Sequence, residues 1–317
     1  MTNSPPFPIP NWQAAAADKR KALFESIPSS HLLPPGLAAR AADHDLLPSD
    51  AAVLSCGILT PLDLEITAID DAATLVEHIT SGKYSSVQVT EAFCKRASIA
   101  QQTTNCLTEI FYQRALERAA WLDEYLAQEG KPFGILHGLP VSLKDCYGVK
   151  GIPSTAGLVS WLPHVSDKDS SVAKALLDAG AVLYVKTNMS QALLMVESIN
   201  NIFDTTRNPY HLDLSVGGSS GGEAGLLAAR GAILGTGTDG GGSIRFPSSF
   251  CGLCKTLSQS CCLSCTNVLR QGVSNARKAE SRRWVFTRLG TATNPATQAW
   301  GPWHIPSPLW NSGSRRN

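Results

Sequence analysis

The segment Gly217-Gly218-Ser219-Ser220-Gly221-Gly222 carries two adjacent hydroxyls on a flexible loop. Strong helix formers follow, Ala224 and Leu226 to Ala229. The loop therefore delivers both hydroxyls to a helix N-terminus, where unpaired N–H groups and the helix dipole favour developing negative charge. A second cluster, Thr238-Asp239-Gly240-Gly241-Gly242-Ser243-Ile244-Arg245, strings backbone amides ahead of another serine. Three glycines permit positive φ and close approach, so the amides of Gly240, Gly241 and Gly242 can converge on one oxygen as an oxyanion hole. Either cluster alone could be a glycine-rich turn; together they point to chemistry on a serine.

A serine hydroxyl needs a base. The first cluster fits the G-x-S-x-G nucleophile elbow at Ser219 or Ser220, but that arrangement places its histidine downstream, and only His304 lies beyond. A phosphate loop would need Lys and then Ser or Thr after the last glycine, and Glu223 stands there instead. Lysine is the remaining candidate. Lys144 ends the apolar run Leu139 to Leu143, where burial would lower its pKa toward neutrality. Position alone favours an ordinary strand-end lysine paired with Asp145; the two serine clusters reverse that preference.

The elements that must hold these residues read as α/β. Helical periodicity marks Trp12 to Phe24, Ala72 to Ile79, Val87 to Ala100 and about 113–127, the last closed by Gly130. Another helix is expected at about 170–179. Short apolar runs at 139–143 and 181–185, with a third starting at 232, read as strands buried on both faces. The expected fold is a mixed β-sheet covered by helices. Residues 1–60, rich in proline and serine connections, read as an N-terminal extension wrapping the body.

The chain has 317 residues, 43% hydrophobic and 17% charged, with a net charge of +1. That balance gives no reason to expect nucleic acid or an anionic membrane as partner. No run of about 18 apolar residues suggests a membrane span, and the N-terminus lacks the features of a secretory signal. The nine cysteines follow no disulfide scaffold and read as reduced thiols of a cytoplasmic protein. Cys251-x2-Cys254 and Cys262-x2-Cys265 are too close together for a zinc site of the usual spacing, so no metal and no cofactor is expected.

These motifs resemble the amidase signature family. His137-Gly138-Leu139-Pro140-Val141-Ser142-Leu143-Lys144-Asp145 looks like its lysine segment, and Gly217 through Arg245 to Gly252 like its serine and glycine signature. Asp178 to Ala181, Lys186-Thr187-Asn188 and Asn208-Pro209 also fit. Ser81 to Ser85 and Leu107 to Ile110 resemble fungal general amidases and acetamidases in particular. The resemblance implies Ser243 as nucleophile, Ser219 as a bridging serine after a cis peptide, and Lys144 as base. It implies an amide cleaved to acid and ammonia or amine. Ser220 would orient the relay, Asp239 and Arg245 would brace the glycine loops as an ion pair, and Met189, Ala192 and Leu193 would line the acyl pocket of a small-molecule amide. A fatty-acid-amide or ester hydrolase is the alternative within serine chemistry.

The resemblance covers roughly residues 10 to 254, with 61–254 as the core. Beyond Cys254 it stops: residues 255–317 hold nine Lys or Arg against Glu280 alone, and four of the seven tryptophans. No helix or strand period is evident there. The expectation is an aberrant basic tail outside the family fold, an incomplete C-terminal half, and consequently a truncated fragment with little activity of its own.

Overall fold

A computed structural model describes residues 11–256 and 266–270. The chain opens with α1 (Trp12–Glu25), α2 (Pro35–Ala42), α3 (Ala51–Leu54) and α4 (Pro61–Thr67). It continues through α5 (Ala72–Thr80), α6 (Ser86–Thr104), β1 (Leu107–Ile110), α7 (Tyr112–Glu129) and β2 (Pro140–Lys144). Then come α8 (Ser171–Asp178), β3 (Val182–Thr187), α9 (Gly221–Ala228), β4 (Leu234–Thr238), α10 (Arg245–Phe250), β5 (Cys254–Thr256) and β6 (Thr266–Arg270).

The strands form one mixed sheet in the order β1-β3-β2-β4-β6-β5. Its centre is parallel, with β2 between β3 and β4; β1 and β6 add to it antiparallel. Both β2 and β3 are buried throughout, which is why their sequences run apolar without alternation. α6, buried over most of its length, carries much of the core, including Val89, Phe93 and Ala97. Its start is a capping box, the Ser85 hydroxyl accepting from the Gln88 amide at 3.0 Å and the Gln88 side chain accepting from the Ser85 amide at 2.9 Å. α7 stops at Gly130, whose φ of 65° is the left-handed cap that the glycine was expected to supply.

The structure departs from the sequence reading in three places. The extension read over residues 1–60 contains α2 and α3, and α4 follows it; Pro35 and Pro61 stand in the first turns of α2 and α4, where a missing N–H costs nothing. Ala41 of α2 packs with Leu33, Leu46, Val53 and Leu59 of the adjoining segments against Ile99 of α6, with Leu37 and Leu64 alongside. β1 was not anticipated, since four residues are too few to display a period. Finally, Thr266–Arg270 is a strand where no regular element was expected; it pairs along the whole of β4. Residues 257–265 and 271–317, including Cys261, Cys262 and Cys265, lie outside the described residues. Cys251 is buried and turned toward the Val216 carbonyl.

Candidate active site

The three parallel strands end together, and their last residues are Lys144, Thr187 and Thr238. Ligand sites of open α/β sheets lie off the carboxyl ends of the strands. α9 begins over this edge, its N-cap being Ser220.

Lys144 is fully buried, and its Nζ lies 2.7 Å from Ser219 Oγ, 2.9 Å from Ser220 Oγ and 2.8 Å from Thr238 Oγ1. Among the described residues no carboxylate is within ion-pair distance of it. Burial lowers its pKa to about 8, against the weaker upward pull of Cys146, Glu223 and Asp239. The expected alternative, a pair with Asp145, is not formed. Asp145 turns to Lys186 at 3.3 Å and takes bonds from Thr155 Oγ1 (2.8 Å) and the amides of Thr155 (2.9 Å) and Ala156 (2.7 Å).

The bond between Gly218 and Ser219 is cis. Gly218 is required by crowding: a Cβ there would sit 2.7 Å from the Glu197 amide and 2.8 Å from the Met195 carbonyl. The loop pressing on it is fixed by Ser190, whose hydroxyl lies between the carbonyls of Met195 (2.7 Å) and Glu197 (2.6 Å) and whose amide donates to Ser219 O at 3.2 Å.

Asp239 organises the second glycine run. Its carboxylate accepts from the amides of Gly242 (2.7 Å), Ile244 and Arg245 (both 3.1 Å) and from Arg245 Nε at 3.1 Å and Nη2 at 3.0 Å. Partial burial would raise its pKa, but Arg245 and these amides prevail and hold it at about 2. The Gly242 amide, expected in an oxyanion hole, is thus committed to Asp239. The amides of Gly240, Gly241 and Ser243 donate to no protein acceptor among the described residues. The Ser243 carbonyl accepts from the Ser220 amide at 3.1 Å, which ties the two serine clusters together. Ser243 Oγ makes no hydrogen bond among the described residues.

Of the expected pocket residues, Met189 is fully buried. Ala192 and Leu193 are half-buried in a tight turn with φ of 53° and 63°. Two successive left-handed non-glycine residues cost on the order of 1–3 kcal/mol each. They are held by Ala192 N donating to Ala156 O at 2.9 Å and Leu193 N to Ser190 O at 3.1 Å.

Sequence reasoning missed three contributors. Thr238 supplies the third hydroxyl on Lys144, and Lys186 neutralises Asp145. Glu223 is fully buried, accepting from Ser142 Oγ at 2.6 Å and Thr187 Oγ1 at 2.9 Å. The signal for Glu223 was available: it is the only charged residue in a helix otherwise made of Gly, Ala and Leu.

Fold and site together set a buried lysine against two adjacent serines at the carboxyl ends of the parallel strands. The family model for amidases matches residues 88–277, and the chain belongs to the amidase signature family. It is 46% identical over 244 residues to an amidase of Gibberella moniliformis, covering 77% of this chain and 46% of that protein. It is 45% identical to the acetamidase of Emericella nidulans, covering 76% and 42% respectively. Among solved structures, a fatty acid amide hydrolase superposes with a TM-score of 0.76 at 30% identity, over 82% of this chain and 48% of that one. The chain thus spans about half the length of the curated relatives it matches. The family match also runs past residue 254, where the sequence resemblance was read as stopping.

Proposed function

We propose that this chain carries the proton relay and nucleophile for hydrolysis of a carboxylic acid amide, with Lys144 as base, Ser219 as bridge and Ser243 as nucleophile. The observation that carries the reading is a buried lysine, unpaired with any described carboxylate, bonded to Ser219 at 2.7 Å.

A protonated Lys144 can satisfy all three hydroxyls around it. As a neutral amine it keeps two N–H donors, for Ser220 and Thr238, and its lone pair accepts from Ser219. Ser219 then takes the proton of Ser243 as the Ser243 oxygen bonds to the amide carbonyl carbon. The carbonyl oxygen becomes an oxyanion facing the amides of Gly240, Gly241 and Ser243. Collapse breaks the C–N bond, and the proton returns through Ser219 to the leaving amine. Water then cleaves the acyl ester by the same relay. The open bond between Ser219 and Ser243 closes when substrate fills the site, as catalytic hydrogen bonds commonly do.

The half-buried Ala192 and Leu193 support an acyl pocket for a small amide, as the names of the fungal relatives do for those proteins. Among the described residues no helix is long and apolar enough to cross a membrane. Free thiols at Cys56, Cys94, Cys106, Cys146 and Cys251 support a cytoplasmic setting. A fluorophosphonate probe with peptide mapping tests the proposal, alongside ammonia release from acetamide and benzamide. An adduct on Ser243 and turnover lost in Ser243→Ala support it. An adduct on Ser219 reverses the two serines, and neither adduct nor turnover favours an inactive fragment.

A further inference from the structure

We infer that Glu223 is a positioning residue for the relay, one that holds the first turn of α9 on the sheet and shares a single proton with Lys144. The inference rests on the reading of Lys144 as base. Ser220 and Glu223 have the spacing of a capping box, yet neither caps the helix: no side-chain bond closes its start. The Ser220 hydroxyl is given to Lys144. The Glu223 carboxyl instead reaches down to Ser142 on β2 and Thr187 on β3, and it abuts Gly235 on β4 so closely that a Cβ there would collide with Oε2. One side chain thus touches all three parallel strands from the helix that presents Ser219 and Ser220.

The electrostatics follow from what surrounds it. No cation lies within ion-pair distance of Glu223 among the described residues. Lys144 stands two residues along β2 from Ser142, on the same face, and in register with Thr187. Lys186 is turned to Asp145, and Arg245 to Asp239. Of the other titratable groups facing the two, burial raises Cys106 (to about 12), Tyr184 and Cys146. Burial raises Glu223 to about 8, against the pull of Ser142, Thr187 and Lys144. It also lowers Lys144 to about 8. Each group pulls on the other's proton, so the two titrate as a pair. The pair has two one-proton forms: ammonium with carboxylate, or amine with carboxylic acid. Only the second leaves Lys144 a lone pair for Ser219.

The test uses the full chain with ¹³Cε-labelled lysine, the Lys144 resonance being assigned by its loss in Lys144→Met. In Glu223→Gln the Lys144 midpoint should fall by about one pH unit, because the neutral amide cannot stabilise the ammonium. The acid limb of kcat should move the same way. An unmoved midpoint in folded Glu223→Gln overturns the inference. Should that variant fail to fold, Thr187→Val and Ser142→Ala each remove one donor to the carboxylate and should lower the midpoint by a smaller step; no shift in either also overturns it. A shifted midpoint in a chain without Ser243-dependent turnover removes the relay and keeps the shared proton. Turnover with a fixed midpoint does the reverse.

Discussion

A lysine amine enclosed by three hydroxyls is a base only when it has lost a proton, so its environment dictates how activity responds to pH. With Lys144 held at about 8, the rate of amide hydrolysis should rise as pH passes through 8, and Lys144→Met should lower kcat by about 10²–10⁴-fold. The same shift acts on stability. Its folded pKa lies below the reference of 10.5, so protonation favours the unfolded chain; stability should climb between pH 8 and 10.5, and Lys144→Met should abolish that climb in urea titrations at stepped pH. Asp239 acts in the same direction at lower pH. Depressed from 3.8 to about 2, it contributes stability that is present above pH 3.8 and lost as pH falls toward 2. Arg245→Leu should therefore move the acid-unfolding midpoint upward, read by circular dichroism. Lys144, Ser219, Ser220 and Asp239 were legible in the sequence because glycine clusters and a strand end advertise them. Thr238 and Glu223 were not, since a threonine ending a strand and an acid in a first turn have ordinary structural uses.

The elements around the site are fastened by a buried pair. Asp145 and Lys186 are both inaccessible, and between them they hold the 153–156 segment: Lys186 Nζ donates to Pro153 O at 2.6 Å, while Asp145 binds Thr155 and Ala156. Ala156 in turn anchors the Ala192 turn. Lys186→Met leaves a buried carboxylate without its cation, which should cost about 3–5 kcal/mol in denaturant titrations. Because the turn moves with it, KM should rise beyond what the loss of folded protein explains. The helices α6 to α9 were readable from periodicity and caps, as were strands β2 and β3 from their apolar runs. β1 and the helices started by Pro35 and Pro61 were not, because short segments and prolines look alike in loops and at helix starts.

At the scale of the molecule, β4 is covered by β6 on the side away from β2. A chain ending after Thr256 would leave the backbone groups of Leu234–Thr238 open to other chains. It should give markedly less soluble protein than the full chain on expression, with higher-order species on size exclusion; equal yields of monomer would show that β6 does not protect the edge. The parallel centre was foreseeable from sequence, but the partner of β4 was not, since antiparallel pairing across a long connection leaves no local mark in five residues. The order of strands also sets a timetable for synthesis. Lys144 and Ser219 are 75 residues apart, and Lys144 and Thr238 94. At translation rates of about 5–20 residues per second, the lysine precedes its hydroxyls by roughly 4–20 s. Until Thr238 has emerged, a nascent chain can bring β2 and β3 together but cannot complete the cage around the amine. The amine therefore stays hydrated and protonated until the centre of the sheet closes over it.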